Sequence, residues 1–260
     1  MSSHLLIGAS HALYMAQALG PVQADLAQAS AGAVPIEAPE LKDSFKLLLL
    51  SPKTQFLSFT RGPAGLQVAA NASLLREVRE HDRADSKVFM LINGNEHNAR
   101  FMVQTDPPFD FVHPRVPGVI AGRQILPLSL IHQIIAESLT LTQLTVAYLA
   151  RTLPQAERFF VAPPPPIRSE AHIRGQPEIF DFSRAKVEDA RVRLKIYEVY
   201  LDCLAQAVQP TGVTLLLPPP EHRDAQDFLA QPCWHMCTHA TSDYYHAVYA
   251  AAGVMSLASV

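Results

Sequence analysis

Leu5-Leu6-Ile7-Gly8-Ala9-Ser10-His11-Ala12 decides how the rest of the chain is read. A short apolar run stops at a glycine, and a serine follows at the head of a helical pattern formed by Ala12, Met15, Ala16 and Leu19. The expectation is a strand, a tight turn and a helix. Such a turn lifts Ser10 off the carboxyl end of a strand, where open α/β sheets bind ligands and a helix N-terminus offers N–H groups to negative charge. On local sequence alone, Ser10 reads more readily as a plain helix N-cap. Partners from elsewhere in the chain have to decide between the two.

Strand-like runs recur downstream, each followed by turn residues or a helical pattern. Gln55–Phe59 is expected as the second strand and ends in Thr60-Arg61-Gly62-Pro63-Ala64-Gly65, and a helix is expected from Leu66 to Asp82. Leu47–Leu50 fits either a helix end or a buried strand. Lys87–Ile92 is a buried-type strand that runs into Asn93-Gly94-Asn95-Glu96-His97-Asn98. Arg158–Ala162 and Gly212–Leu217 are the fourth and fifth strands, both stopped by prolines. Residues 99–123, with four prolines and three phenylalanines, read as an ordered excursion. A helix over 127–150, apolar nearly all round, is expected to be buried or to form a subunit contact. Ser183 is a candidate cap for the next long helix, and the last helix is expected near Thr241.

Strands alternating with helices imply a three-layer α/β/α sandwich around a mostly parallel, flavodoxin-like five-stranded sheet. The 260 residues are expected to form a single domain with an insertion at about 96–150 that covers the strand ends. A net charge of −3 with 17% charged residues gives no electrostatic footprint for nucleic acid. No run reaches the roughly 18 apolar residues of a membrane span, and no basic leader is present. Three cysteines suit a reducing compartment, so the expectation is a cytoplasmic protein. Walker-type and dinucleotide fingerprints are absent, and no cofactor is expected.

Ester hydrolysis by a serine needs a histidine to take the hydroxyl proton and two or three donors for the oxyanion. Ser10, the glycine turn 62–65, Asn95 and the histidines of Trp234–Ala240 are residue types of that kind. In that order they resemble the SGNH or GDSL hydrolase family, through four short patches spread from Gly8 to Tyr245. Gly8-Ala9-Ser10 is similar to the family's Gly-Asp-Ser block, with alanine for the acid. Thr60–Gly65 is similar to its Asn-x-Gly-x-Ser-Gly block, which implies Gly65 N–H as an oxyanion donor. Asn93-Gly94-Asn95-Glu96 resembles its Gly-x-Asn-Asp block, with Asn93 and Glu96 changed, and implies the Asn95 side chain as another donor.

The fourth patch aligns in two ways. Asp243-Tyr244-Tyr245-His246 satisfies Asp-x-x-His literally, whereas His239–Tyr245 is similar to the pattern that follows the catalytic histidine and opens the last helix. A histidine just before a helix can face the strand ends, which favours His239 as base over His246 with Asp243. Three residues before His239 stands Met236, so the orienting acid falls to a displaced carboxylate such as Glu96 or Asp243. The resemblance implies a serine-dependent ester hydrolase with a small-molecule ester substrate; a catalytically degenerate binding or assembly protein is the alternative. Cys233, His235, Cys237 and His239 alternate, yet four ligands from seven consecutive residues do not wrap a tetrahedral ion easily, so no metal is assigned.

Overall fold

A computed structural model describes residues 2–22, 32–37, 41, 43–51, 54–63, 65–93, 95–176 and 185–255. Ser183 lies outside them. In chain order the elements are β1 (Ser3–Gly8), α1 (Ser10–Leu19), β2 (Val34–Ile36), β3 (Ser44–Leu49), β4 (Leu57–Gly62), β5 (Gly65–Ala70), α2 (Ala72–Arg79), β6 (Lys87–Leu91) and α3 (Glu96–Phe101). There follow β7 (Phe109–Asp110), β8 (Gln124–Ile125), α4 (Leu128–Ser138), α5 (Thr140–Thr152), β9 (Glu157–Val161), α6 (Glu170–Arg174) and α7 (Ala190–Val208). The chain closes with β10 (Thr214–Leu216), β11 (Trp234–His235), β12 (His239–Ala240) and α8 (Ser242–Ala251).

The chain divides into two compact units, the first comprising Met1–Asn93, Thr142–Val161 and Val208–Leu216, and the second Gly94–Leu141, Ala162–Ala207 and Leu217–Val260. Of the insertion expected at about 96–150, residues 96–141 fall in the second unit's first segment and residues 142–150 in the first unit.

The whole principal sheet belongs to the first unit. It is a mixed α/β arrangement with strand order β10-β9-β6-β1-β3-β2, parallel except for β2, which pairs antiparallel with β3. The sheet has six strands where five were expected, because the edge strand β2 is only three residues long. The parallel set, β3-β1-β6-β9-β10, has the flavodoxin-like order whose crevice opens between its first and third strands, here β1 and β6. Leu5, Leu6 and Ile7 of β1 and Val88, Phe89 and Met90 of β6 are fully buried, as central parallel strands covered on both faces must be. α1 packs against β1, β3 and β6.

The second strand of the parallel set is Ser44–Leu49, not Gln55–Phe59. Leu57–Gly62 instead pairs antiparallel with Gly65–Ala70 in a hairpin outside the principal sheet, its last pair being Gly62 opposite Gly65. Two residues separate the arms, the spacing of a tight hairpin, and Gly65 takes φ +107°, which a glycine tolerates. The expected helix 66–82 accordingly shortens to α2, capped by Asn71, whose side chain accepts from Ser73 N (3.1 Å) and Leu74 N (3.4 Å).

The single helix expected over 127–150 is two helices, α4 and α5. They part at Leu139, where the Ser138 and Thr140 hydroxyls donate to the carbonyls of Ile135 (2.6 Å) and Glu137 (2.9 Å). Such side-chain bonds compete with the helix ladder and bend it. Among the described residues no helix is long and apolar enough to cross a membrane.

In the second unit α7 carries the core, with Val192, Leu194, Ile196, Tyr197, Val199, Tyr200 and Leu204 buried. Its charged residues Arg193 and Lys195 are buried too. Lys195 Nζ donates to Asp110 Oδ1 (2.8 Å) and to the carbonyls of Phe111 (2.8 Å) and Gly118 (2.6 Å). Arg193 donates to the carbonyls of Ile167 (2.6 Å), Glu188 (3.0 Å) and Arg168 (3.3 Å), and its burial lowers the guanidinium to about 10.

Candidate active site

The strand–turn–helix expected at Gly8–Ser10 forms as read. Gly8 ends β1, Ala9 occupies the N-cap with φ −102° and ψ −134° and makes no side-chain cap bond, and Ser10 is the first residue of α1. Ser10 is therefore not the cap. It stands half-buried at the helix N-terminus, where the positive end of the helix dipole favours a developing oxyanion. Gly8 has a steric reason: a Cβ there would press into the Leu91 carbonyl and meet Ala12 Cβ at 2.9 Å. The close approach of β1 to β6 at their carboxyl ends depends on it. On the other side of β1, Leu50 N donates to Gly8 O at 2.6 Å.

Asn93 follows β6 in the left-handed conformation, φ 58°, and its amide donates to buried Thr142 Oγ1 at 2.9 Å. Asparagine is among the few side chains other than glycine that tolerate this backbone. Gly65 belongs to the hairpin turn and not to a strand end of the principal sheet. The strand end beside Gly8 is instead Leu50-Ser51, where Thr54 N donates to Ser51 O (3.0 Å) and the two hydroxyls lie 2.7 Å apart. Sequence reasoning missed this loop because Leu47–Leu50 fitted two kinds of element.

The other expected residues belong to the second unit. Asn95 precedes α3, and its Oδ1 accepts from Asn98 Nδ2 at 2.8 Å, which leaves its amide NH2 as the donor end. Glu96 accepts from Tyr200 Oη at 3.2 Å. Burial and the neighbouring Glu96 push the Tyr200 phenol well above its ordinary value, so it stays a donor. His97 is buried against the rings of Tyr200 (4.5 Å) and Tyr197 (5.5 Å between centroids).

His239 opens β12 directly opposite His235 of β11 and is 1% exposed. The hairpin turn that joins the two strands holds Met236 at φ 51°, with the Met236 carbonyl 2.7 Å from His172 Nε2. No carboxylate stands at position 236. The Thr238 hydroxyl lies 3.4 Å from His239 Nδ1, a contact that the Asp-x-x-His pattern could not signal. His246 is the fifth residue of α8 and half-buried, with Asp243 exposed in the first turn. Cys233 Sγ lies 3.1 Å from His222 Nδ1. Among the described residues no three His, Cys, Asp or Glu side chains converge to hold a metal ion.

The sheet defines the chain as an α/β protein with the flavodoxin-like order of parallel strands and a serine-bearing turn after its central strand. No family model and no curated protein matches the chain. Among solved structures it is similar to a putative platelet activating factor from Streptococcus pneumoniae, at 13% identity and TM-score 0.48, over 97% of this chain and 82% of that one. It is also similar to an extracellular lipase from Streptomyces rimosus, at 11% identity and TM-score 0.48, over 97% of this chain and 100% of that one. For phospholipase A1 from Streptomyces albidoflavus the identity is 10% and the TM-score 0.44, over 96% and 98% of the two chains.

Proposed function

We propose that the protein is a serine-dependent ester hydrolase with Ser10 as nucleophile. One observation carries the reading: Ser10 opens α1 at the carboxyl end of the central strand, beside a Gly8 where a Cβ would press into the Leu91 carbonyl. His239 takes the hydroxyl proton as Ser10 Oγ attacks the ester carbonyl, then returns it to the leaving alcohol. Water, deprotonated by the same imidazole, releases the acid from the acyl-enzyme. Ser10 N–H and the Asn95 amide are the oxyanion donors. Gly65, placed in a hairpin turn, is assigned no catalytic role. The Thr238 hydroxyl, 3.4 Å from His239 Nδ1, helps to hold the imidazole, Glu96 and Asp243 remain the displaced carboxylates of the reading, and a dyad without the usual acid turns over more slowly than a triad.

The test is covalent. A fluorophosphonate probe is expected to label wild type once, on Ser10, and to leave Ser10→Ala unlabelled. A folded wild type that resists the probe while a control esterase is labelled would turn the assignment to the second reading, a degenerate binding protein, which the absence of a carboxylate at Met236 favours.

A further inference from the structure

The second unit contains a cavity of about 600 Å³ at the start of α7 that the hydrolase reading does not use. Its floor is apolar: Val116, Leu194 and Phe228 form one buried cluster with Ala190 packed against it. Its polar lining comes from Arg115, Arg168 and Arg191, with Asp189, Gln226 and Asp227.

The acids in and behind this wall are all engaged. Arg115 is held by Glu198 (2.9 Å) and Asp202 (2.7 Å), and Asp227 faces Arg223 at 3.6 Å. Asp189 accepts the Arg191 backbone N–H at 2.8 Å at the head of α7. Among the described residues neither Arg168 nor Arg191 enters an ion pair. Beside the Gln226 amide and the second oxygens of Asp189 and Asp227, the cavity is thus left with the guanidinium groups of two arginines without an ion pair, above an apolar floor.

Both arginines have a defined neighbour. The Arg168 guanidinium lies over the Phe228 ring at 5.8 Å, and buried Arg193 grips the carbonyls of Ile167 and Arg168. Gly118, at φ 82°, lets Arg191 approach: a Cβ there would stand 3.3 Å from its NH1. The Gly118 carbonyl is fixed in turn by Lys195. Guanidinium forks suit a carboxylate or phosphate bound through two donors.

We infer that this cavity is a binding site for a small organic anion, a carboxylate or phosphate monoester carrying a compact apolar body that rests on Phe228, Leu194 and Val116. The inference is independent of the hydrolase assignment.

Phenyl phosphate is the probe, titrated into the full chain and into Ser10→Ala while backbone amide chemical shifts are followed. Saturable shifts are expected at Ala190, Gln226 and Phe228 in both proteins. Inorganic phosphate, which lacks the apolar body, and benzyl alcohol, which lacks the charge, are each expected to bind about tenfold more weakly or worse. Arg168→Gln and Arg191→Gln, changes at exposed positions, should each weaken phenyl phosphate by about tenfold. No saturable shift up to millimolar probe, shifts confined to other residues, or undiminished affinity in the double Arg-to-Gln variant would each overturn the site.

Discussion

At the level of single residues, Gly8 and Ser10 separate packing from chemistry. Gly8→Ala forces a methyl into the Leu91 carbonyl between two hydrogen-bonded strands, neither of which can shift alone. It is expected to cost about 2–3 kcal/mol, read as a lowered midpoint in urea. Ser10→Ala removes one oxygen from a half-buried helix start and is expected to unfold at the wild-type midpoint while hydrolysis of p-nitrophenyl acetate falls by about a thousandfold or more. Turnover that survived in Ser10→Ala would remove the nucleophile from the proposal. The residue scale was the most legible in the sequence, since a glycine closing an apolar run and a serine opening a helical one are local signals. Even so the sequence left open whether Ser10 capped the helix. The backbone at Ala9 decided that it does not.

At the level of elements, the glycine-rich stretch Thr60–Gly65 shows where local signals mislead. Two glycines and a proline after an apolar run fit a strand-to-helix turn and a two-residue hairpin equally well. Cross-strand partners decide between them, and these are set by register and not by composition. The same substitution therefore tests two roles. Gly65→Ala strains a backbone at φ +107° and is expected to destabilise the hairpin by about 1 kcal/mol while leaving kcat within about threefold. Asn95→Ala, by contrast, removes a donor whose orientation is set by Asn98, and is expected to lower kcat by about 100- to 1000-fold with little change in stability. The reverse pattern, a large kcat effect at Gly65 and none at Asn95, would return the oxyanion hole to the hairpin. Breaks such as the one at Leu139 were hidden for a related reason: the apolar spacing of 127–150 runs through the break without a proline or glycine to mark it.

For the whole molecule, the parallel character of the sheet followed from strands alternating with helices, but the edge strand β2 did not, because three residues containing Pro35 carry almost no period-two signal. Nor did the buried charges of the second unit. Lys195 and Arg193 sit among helical positions whose partners, Asp110 and the Ile167 carbonyl, are far away in sequence. That charged interior makes global stability depend on pH. His113 is 3% exposed, and its Nδ1 lies 3.3 Å from Arg115 N, for which the neutral ring is the acceptor. Burial first, then the Arg115 charge, pushes its pKa down to about 4. A histidine depressed in the folded state binds fewer protons than in the unfolded one, so stability is full above about pH 6.5 and is lost as pH falls toward 4. The loss between pH 7 and 4.5 is expected to be roughly 2–3 kcal/mol from this group. Lowered values at His4 and His81, also caused by burial, act in the same direction in the first unit. Urea unfolding at the two pH values measures the sum, and His113→Gln isolates one contribution. The variant is expected to be less stable than wild type at pH 7 yet to lose about 2 kcal/mol less on acidification. An identical pH slope in the two proteins would mean that His113 takes up its proton without opening the packed segment around Phe111 and Arg115.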